Sequence, residues 1–218
     1  MRGLISDFNN MHNNINSTID NQRNMLAGIS HDLKTPLTRI NLMIEELDNL
    51  DIKKSISKNI SEMNLMLNHY LDFIKNEKNE NLKEIDTQIL IMDLTSNYPK
   101  MNITNNDSKI IHVRKNQISR ALANILDNAD KFAEKIFLSS NILENKWIIT
   151  VEDDGPGTTL SQEQLVKPFT KGSDRLNQGT GLGLSIVQKI IKLNNGELRF
   201  DESPHGGLKV IISLEINY

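Results

Sequence analysis

Over the first 80 residues, apolar side chains return at steps of three and four: Phe8, Met11, Ile15, Ile19, Leu26, Ile29, Leu33, Leu37, Ile40, Ile44 and Leu47, with Gln22 the one break. A helix places residues spaced this way on one face. A seam so narrow and so long suits a coiled coil or a helical bundle. Few breakers oppose it, since the stretch holds one Pro and two Gly. A polar interval at 48–54 interrupts the seam, and a second follows at Ile56, Ile60, Met63, Leu67, Tyr70 and Ile74. Two helices with a short connection predict an antiparallel hairpin. One hairpin buries little, whereas two make a four-helix bundle, so a homodimer is the expected completion.

Residues 76–84 are polar and charged and read as a linker. Beyond them the period changes. Short apolar runs at 110–113, 136–138, 147–151, 198–200 and 210–214 predict strands, with helical patterns at 87–97, 115–133 and 183–193 between them. The second part is therefore expected to be an α+β domain with one sheet covered by helices. The expected division is a hairpin over 1–78, with 1–10 the end of a preceding linker, and a domain over 79–218.

Composition narrows the classes. Of the 218 residues 38% are hydrophobic and 24% charged, enough apolar material for a folded core. The absence of cysteine excludes a disulfide framework and thiolate zinc sites. A net charge of −3 is not that of a dedicated nucleic-acid binder. No run approaches the roughly 20 apolar residues of a membrane span, and no signal peptide opens the chain. The expectation is a soluble cytoplasmic chain with no membrane contact of its own.

His31 falls between the seam residues Ile29 and Leu33, about 160–200° from either on a helical wheel, and so should face solvent. Asp32 follows at once, and Thr35 lies one turn on over the same face. Pro36 cannot donate to the carbonyl of Asp32 and should kink the helix there. An exposed imidazole beside a carboxylate suits a nucleophile that partners must reach, the carboxylate holding the tautomer and accepting a proton. Taken alone, His31 reads as a solvated surface side chain on a polar face. The string Ser30-His31-Asp32-Leu33-Lys34-Thr35-Pro36-Leu37-Thr38-Arg39-Ile40, however, closely resembles the phosphoacceptor box of sensor histidine kinases, in particular the osmosensing, EnvZ-like type. The resemblance implies that His31 takes the γ-phosphoryl group of ATP, that Asp32 is the general base, and that Thr35 positions water for dephosphorylating the partner regulator. His12, His69, His112 and His205 have no such context.

Glycines punctuate the second half. Asp153-Asp154-Gly155-Pro156-Gly157 follows a strand pattern. A carboxylate at a strand end can accept an exocyclic amine of a purine, and glycines let the backbone pass close to a ring. Gly179-Thr180-Gly181-Leu182-Gly183-Leu184 opens a helical run, where free N–H groups are available to phosphate oxygens. The spacing is neither a dinucleotide fingerprint nor a Walker A loop. Asn124 and Asn128 lie four apart in a helical pattern, with Lys131 a turn further. Amide oxygens suit Mg²⁺, which keeps waters and bridges nucleotide phosphates, and Lys131 can neutralise phosphate charge.

Taken together, the N-terminal string and the stretches 124–132, 153–157, 168–172 and 179–184 resemble the phosphoacceptor, N, G1, F and G2 boxes of histidine kinases, in the family's order. The second half is thus similar to the Bergerat-type ATPase domain shared with gyrase, Hsp90 and MutL. The resemblance implies an α/β-sandwich fold, ATP and Mg²⁺ as ligands, Asn128 as the metal ligand, Asp153 as the adenine reader and Lys131 as a phosphate contact. Lys171 stands where the family has a basic residue near phosphate. Asn124, Phe132, Gly155, Gly157, Gly172, Gly179, Thr180, Gly181, Leu182, Gly183 and Leu184 complete the implied nucleotide site, with the stretch between Phe169 and Gly179 as its lid. Two positions depart from the pattern: Thr158 replaces an apolar residue after the G1 glycines, and Asp130 adds an acid near the presumed phosphates. The implied protein is a homodimeric kinase that phosphorylates His31 and passes the group to the receiver domain of an OmpR-type response regulator, with regulator phosphatase activity. Two alternatives stand beside it, a nucleotide-binding dimeric scaffold without transfer and a gyrase- or Hsp90-like ATPase.

Overall fold

The structure, a computed structural model, describes residues 11, 33, 36–40, 42–44, 49–74, 80–170 and 181–216. The chain divides into two compact units, Met1–Lys75 and Asn76–Tyr218.

In the first unit, helix α1 spans Leu50–Ile74. Its start is set by Asn49, whose Oδ1 accepts the N–H groups of Asp51 and Ile52, both at 3.1 Å. An Asn cap of this kind satisfies two donors that the helix itself cannot. Residues 50–54 of the expected polar interval at 48–54 are therefore helical, forming the first turn of α1. Leu33 and residues 36–40 and 42–44 are helical as well. Leu37 and Ile44 pack with Ile60 and Ile56 of α1, joining the two seams in one apolar cluster.

The second unit runs β1 (Lys83–Asp86), α2 (Thr87–Thr95), β2 (Met101–Asn106), β3 (Ile110–Val113), α3 (Lys115–Phe132), β4 (Ile136–Leu143), β5 (Lys146–Asp153), α4 (Gln162–Leu165), α5 (Gly183–Leu193), β6 (Glu197–Glu202) and β7 (Leu208–Glu215). Five strands make the main sheet in the order β2-β4-β5-β7-β6, while β1 and β3 pair as a separate two-stranded ribbon. Strand β2 runs parallel to β4, and the remaining neighbours are antiparallel. Burial alternates strictly along β5, from Trp147 through Ile149 and Val151 to Asp153, and along β7, from Leu208 to Leu214. Such alternation marks a sheet with one face on a core. On that face the Trp147 indole N–H donates to Ser140 Oγ at 2.9 Å, so the one polar atom of the largest core side chain is satisfied.

Three short elements are absent from the sequence expectation. Strand β1 buries only Ile85, and β2 buries no residue at all, so neither carries an alternation to read. Helix α4 is a single turn, held by a capping box between Ser161 and Gln164. The expected linker at 76–84 also overlaps structure. The Glu80 carboxylate caps the start of α3, accepting Asn116 N–H at 2.8 Å and Gln117 N–H at 3.1 Å. Arg114 ties the same corner to α5 through Leu193 O and Asn194 Oδ1.

Candidate functional site

Helix α3 turns Ile118, Leu122, Ile125, Leu126 and Ala129 into the core, which leaves Asn124 and Asn128 half-buried along its flank. Asn124 donates from Nδ2 to Arg120 O at 2.8 Å. Its Oδ1 faces the first turn of α5, where a Cβ on Gly183 would lie 3.4 Å away. Helix α5 begins at this junction with no side-chain cap at Leu182 among the described residues, and a helix N-terminus suits an anion. Lys131 and Phe132 close the C-terminal turn of α3, with the Lys131 ammonium 5.3 Å from the Phe132 ring centroid.

Asp153 ends β5 at 6% exposure. Its Oδ1 accepts the N–H of Gly155 at 2.9 Å and of Leu208 at 3.2 Å. Both bonds fall on one oxygen, and Oδ2 receives none among the described residues. Burial raises the Asp153 carboxyl above its ordinary value, and the two N–H donors partly oppose that rise. Asp154 instead points to the turn after α3, where Lys135 and Glu134 donate N–H to it and hold its carboxyl below the ordinary range. Gly207 N–H bonds Asp153 O at 3.1 Å, and a Cβ on Gly207 would collide with the Asp153 carboxylate. The β6–β7 turn is therefore built to lie against Asp153. Sequence reasoning missed this turn, although Gly206-Gly207 between two strand patterns was its signal.

The stretch 171–180 is bracketed by two described ends. Phe169 N–H donates to Gly181 O at 2.9 Å, so those ends meet. Gly181 sits at φ +68°, with Thr170 O only 2.6 Å from where a Cβ would stand, and no other residue fits there. Thr158, one of the two departures from the family pattern, is exposed and accepts the Leu160 N–H at 3.2 Å, a local turn contact. Asp130, the other, is paired with Lys100 at 3.3 Å.

The structure thus brings Asn124 to the start of α5 at Gly183, with Asn128 one turn further along α3, and brings Asp153, Gly155 and Gly157 to one strand-end turn. Gly155 joins that turn to the end of α3, since a Cβ there would stand 3.0 Å from Phe132 O. His31, Asp32, Thr35, Lys171, Gly172, Gly179 and Thr180 lie outside the described residues. Among the described residues no group of three His, Asp or Glu could hold a metal ion. The neutral oxygens of α3 fit Mg²⁺ only as a companion of phosphate, not in an all-protein cage.

Residues 21–79 match the His Kinase A (phospho-acceptor) domain family, and residues 114–217 match the histidine kinase-, DNA gyrase B-, and HSP90-like ATPases. The chain belongs to the sensor histidine kinases. Among curated relatives, it is 29% identical to sensor histidine kinase GtrS of Pseudomonas aeruginosa over 95% of this chain and 45% of that protein. It is 28% identical to sensor protein RstB of Escherichia coli, over 94% of this chain and 52% of RstB. The chain spans about half the length of these relatives. The same fold is found in full-length ShkA in complex with AMPPNP (TM-score 0.71, 18% identity, 88% of this chain and 45% of ShkA). Acinetobacter baumannii histidine kinase AdeS shares it too (TM-score 0.61, 22% identity, 86% of this chain and 98% of AdeS). Among the described residues, no helix is long and apolar enough to cross a membrane.

Proposed function

We propose that this chain is a kinase core in which MgATP held by the second unit phosphorylates His31. In this reading the hairpin over 1–78 carries the phosphoacceptor, and the domain over 79–218 carries the nucleotide. Asp153 accepts the adenine amine through its open oxygen, the phosphates run toward the first turn of α5, and Lys131 and Lys171 meet their charge. Asn128 would hold Mg²⁺, with Asn124 beside it, and the ion supplies charge neutralisation of the phosphates when bound. An imidazole nitrogen of His31 attacks the γ-phosphorus, the bond to the bridging oxygen breaks, and ADP leaves with that electron pair. Asp32 accepts the proton from the other ring nitrogen. Positioning supplies most of the rate, as is usual for phosphoryl transfer.

The phosphoryl group then passes to an aspartate on the receiver domain of an OmpR-type response regulator, and Thr35 orients the water that later removes it. The chain works as a homodimer. ATP and the regulator are both cytoplasmic, so this core acts on the cytoplasmic side of an inner-membrane sensor.

The observation that carries the reading is the Asp153 carboxylate: buried at a strand end, one oxygen locked by two backbone donors and the other left for a ligand. Incubation with γ-labelled ATP tests it. An acid-labile phosphate on the wild type, absent from His31→Ala, is the expected result. Nucleotide binding with no label would leave a dimeric scaffold, and steady ATP hydrolysis without label would leave a gyrase- or Hsp90-like ATPase.

A further inference from the structure

The end of α3 nearest Asn128 is crowded with negative character. Asp127 lies about 100° from Asn128 around the helix and Asp130 about 160°, both within one turn of it. The helix also ends there, at Phe132, which adds the negative pole of its carbonyls. A polyphosphate brought to the Asn124/Asn128 flank would meet all three.

Two side chains from the short segment between α2 and β2 answer this. Lys100 Nζ reaches Asp130 O at 2.8 Å, Ala133 O at 3.2 Å and Asp130 Oδ1 at 3.3 Å. An ammonium has three donors, and here three acceptors surround it, two of them carbonyls at the helix end. Tyr98 donates its hydroxyl to Asp127 Oδ1 at 2.6 Å. Burial, followed by the bond to Asp127, pushes the Tyr98 phenol far above its ordinary value, so the donor stays protonated. A lone exposed ion pair would matter little. This lysine differs in capping a helix end as well.

We propose that Lys100 is a positioning residue of the nucleotide site: it cancels the Asp130 carboxylate and the carbonyl end of α3, so that the Asn124/Asn128 flank receives a polyphosphate without an uncompensated negative charge behind it. Tyr98 serves the same end at Asp127 by hydrogen bonding. The inference rests on the proposed nucleotide reading and deepens it.

Calorimetric titration of the full chain with MgADP and with uncharged adenosine tests it. Lys100→Met should weaken MgADP about fivefold, as expected for losing one nearby positive charge that solvent only partly screens, and the loss should shrink in high salt. Adenosine affinity should change by less than about twofold, because it carries no charge for the field to act on. Adding Asp130→Asn to Lys100→Met should bring MgADP back to within about twofold of wild type. Equal losses for both ligands, or a double variant no better than the single one, would overturn the inference, since a merely structural lysine gives that pattern. A wild type that binds neither ligand overturns the nucleotide reading itself. A wild type that binds both, matched by Lys100→Met, overturns only the role of Lys100.

Discussion

The two units use apolar residues differently. In the second, Ile118, Leu122, Trp147 and Ile136 are each fully buried, and the core closes over a sheet and its helices within one chain. In the first, the described residues under a tenth exposed are Leu37, Ile44 and Ile60, while Leu33 (46%), Ile40 (43%) and Met63 (49%) of the same two seams remain open. Burying a Leu, Ile or Met side chain contributes about 1.5–3 kcal/mol, so a hairpin that leaves these wet forgoes much of its driving force. One pattern therefore completes a core, and the other leaves apolar side chains exposed, which the proposed homodimer would cover. In the proposed function chemistry follows the same split, with the acceptor on the unit that would dimerise and the nucleotide on the unit with the closed core.

If the split is real, variants in one unit should leave the other unit's property intact. The largest effect belongs to His31→Gln, which should abolish the acid-labile phosphate while nucleotide affinity and dimerisation stay at wild-type values. A labelled-ATP assay beside calorimetry and sedimentation checks all three. Next is Thr35→Ala. The hydroxyl is a poor base at neutral pH but can align a water, so regulator dephosphorylation should slow roughly 10²-fold with His31 phosphorylation kept. Parallel loss of both rates would instead assign Thr35 to holding the helix near Pro36.

Asn128→Ala comes third. Removing a metal-binding oxygen should weaken Mg-nucleotide at least about tenfold, the loss typical even of outer-sphere metal partners. Asn124→Ala should cost less, and neither should alter the dimer. Ile40→Asp together with Met63→Asp is the converse test. It should raise the dimer dissociation constant at least about tenfold, one such step being about 1.4 kcal/mol, and leave nucleotide affinity unchanged. A dimer as tight as wild type would mean that these exposed side chains are not its interface.

How much of this was readable beforehand varied with the physics of each element. The β5 and β7 runs were plain because a half-buried strand writes its alternation into the sequence. Strand β2, Met-Asn-Ile-Thr-Asn-Asn, was not, because it lies at the sheet edge with no buried residue and is fixed by its pairing with β4. Asn124, Asn128 and Asp153 could be proposed from the sequence because box spacing singles out side chains. Glu80, Lys100 and the Gly206-Gly207 turn act on backbone groups far away in sequence, and no local pattern announces such contacts. Asp130, read as an intruding acid, has a partner 30 residues upstream. The seams gave the hairpin, but a helical wheel shows only that a face is apolar, not which of its residues a single chain covers.

The smallest effect is a pH slope, and it separates binding from folding within the second unit. Asp153 is raised from the ordinary carboxylate value of 3.8, chiefly by burial. For an acid with a folded pKa above its unfolded one, ionisation disfavours folding at high pH, and that cost disappears as pH falls through the folded value. Acidification therefore relieves the fold at this position. Asp86 and Asp154 have the opposite sign: hydrogen bonds, led by Ser108 for Asp86 and by the Lys135 N–H for Asp154, lower them, and their stabilisation is lost only as pH falls through those lowered values. On descent from neutral pH, Asp153 thus takes up its proton first, while the other two still hold. A protonated Asp153 no longer offers an anionic oxygen to the adenine amine, so adenosine affinity should decline before the far-ultraviolet circular dichroism changes, by at most about tenfold per pH unit. Asp153→Asn should bind more weakly at neutral pH and show no such decline on acidification. If wild type and Asp153→Asn share one pH profile, the slope arises elsewhere and Asp153 is not the adenine acceptor.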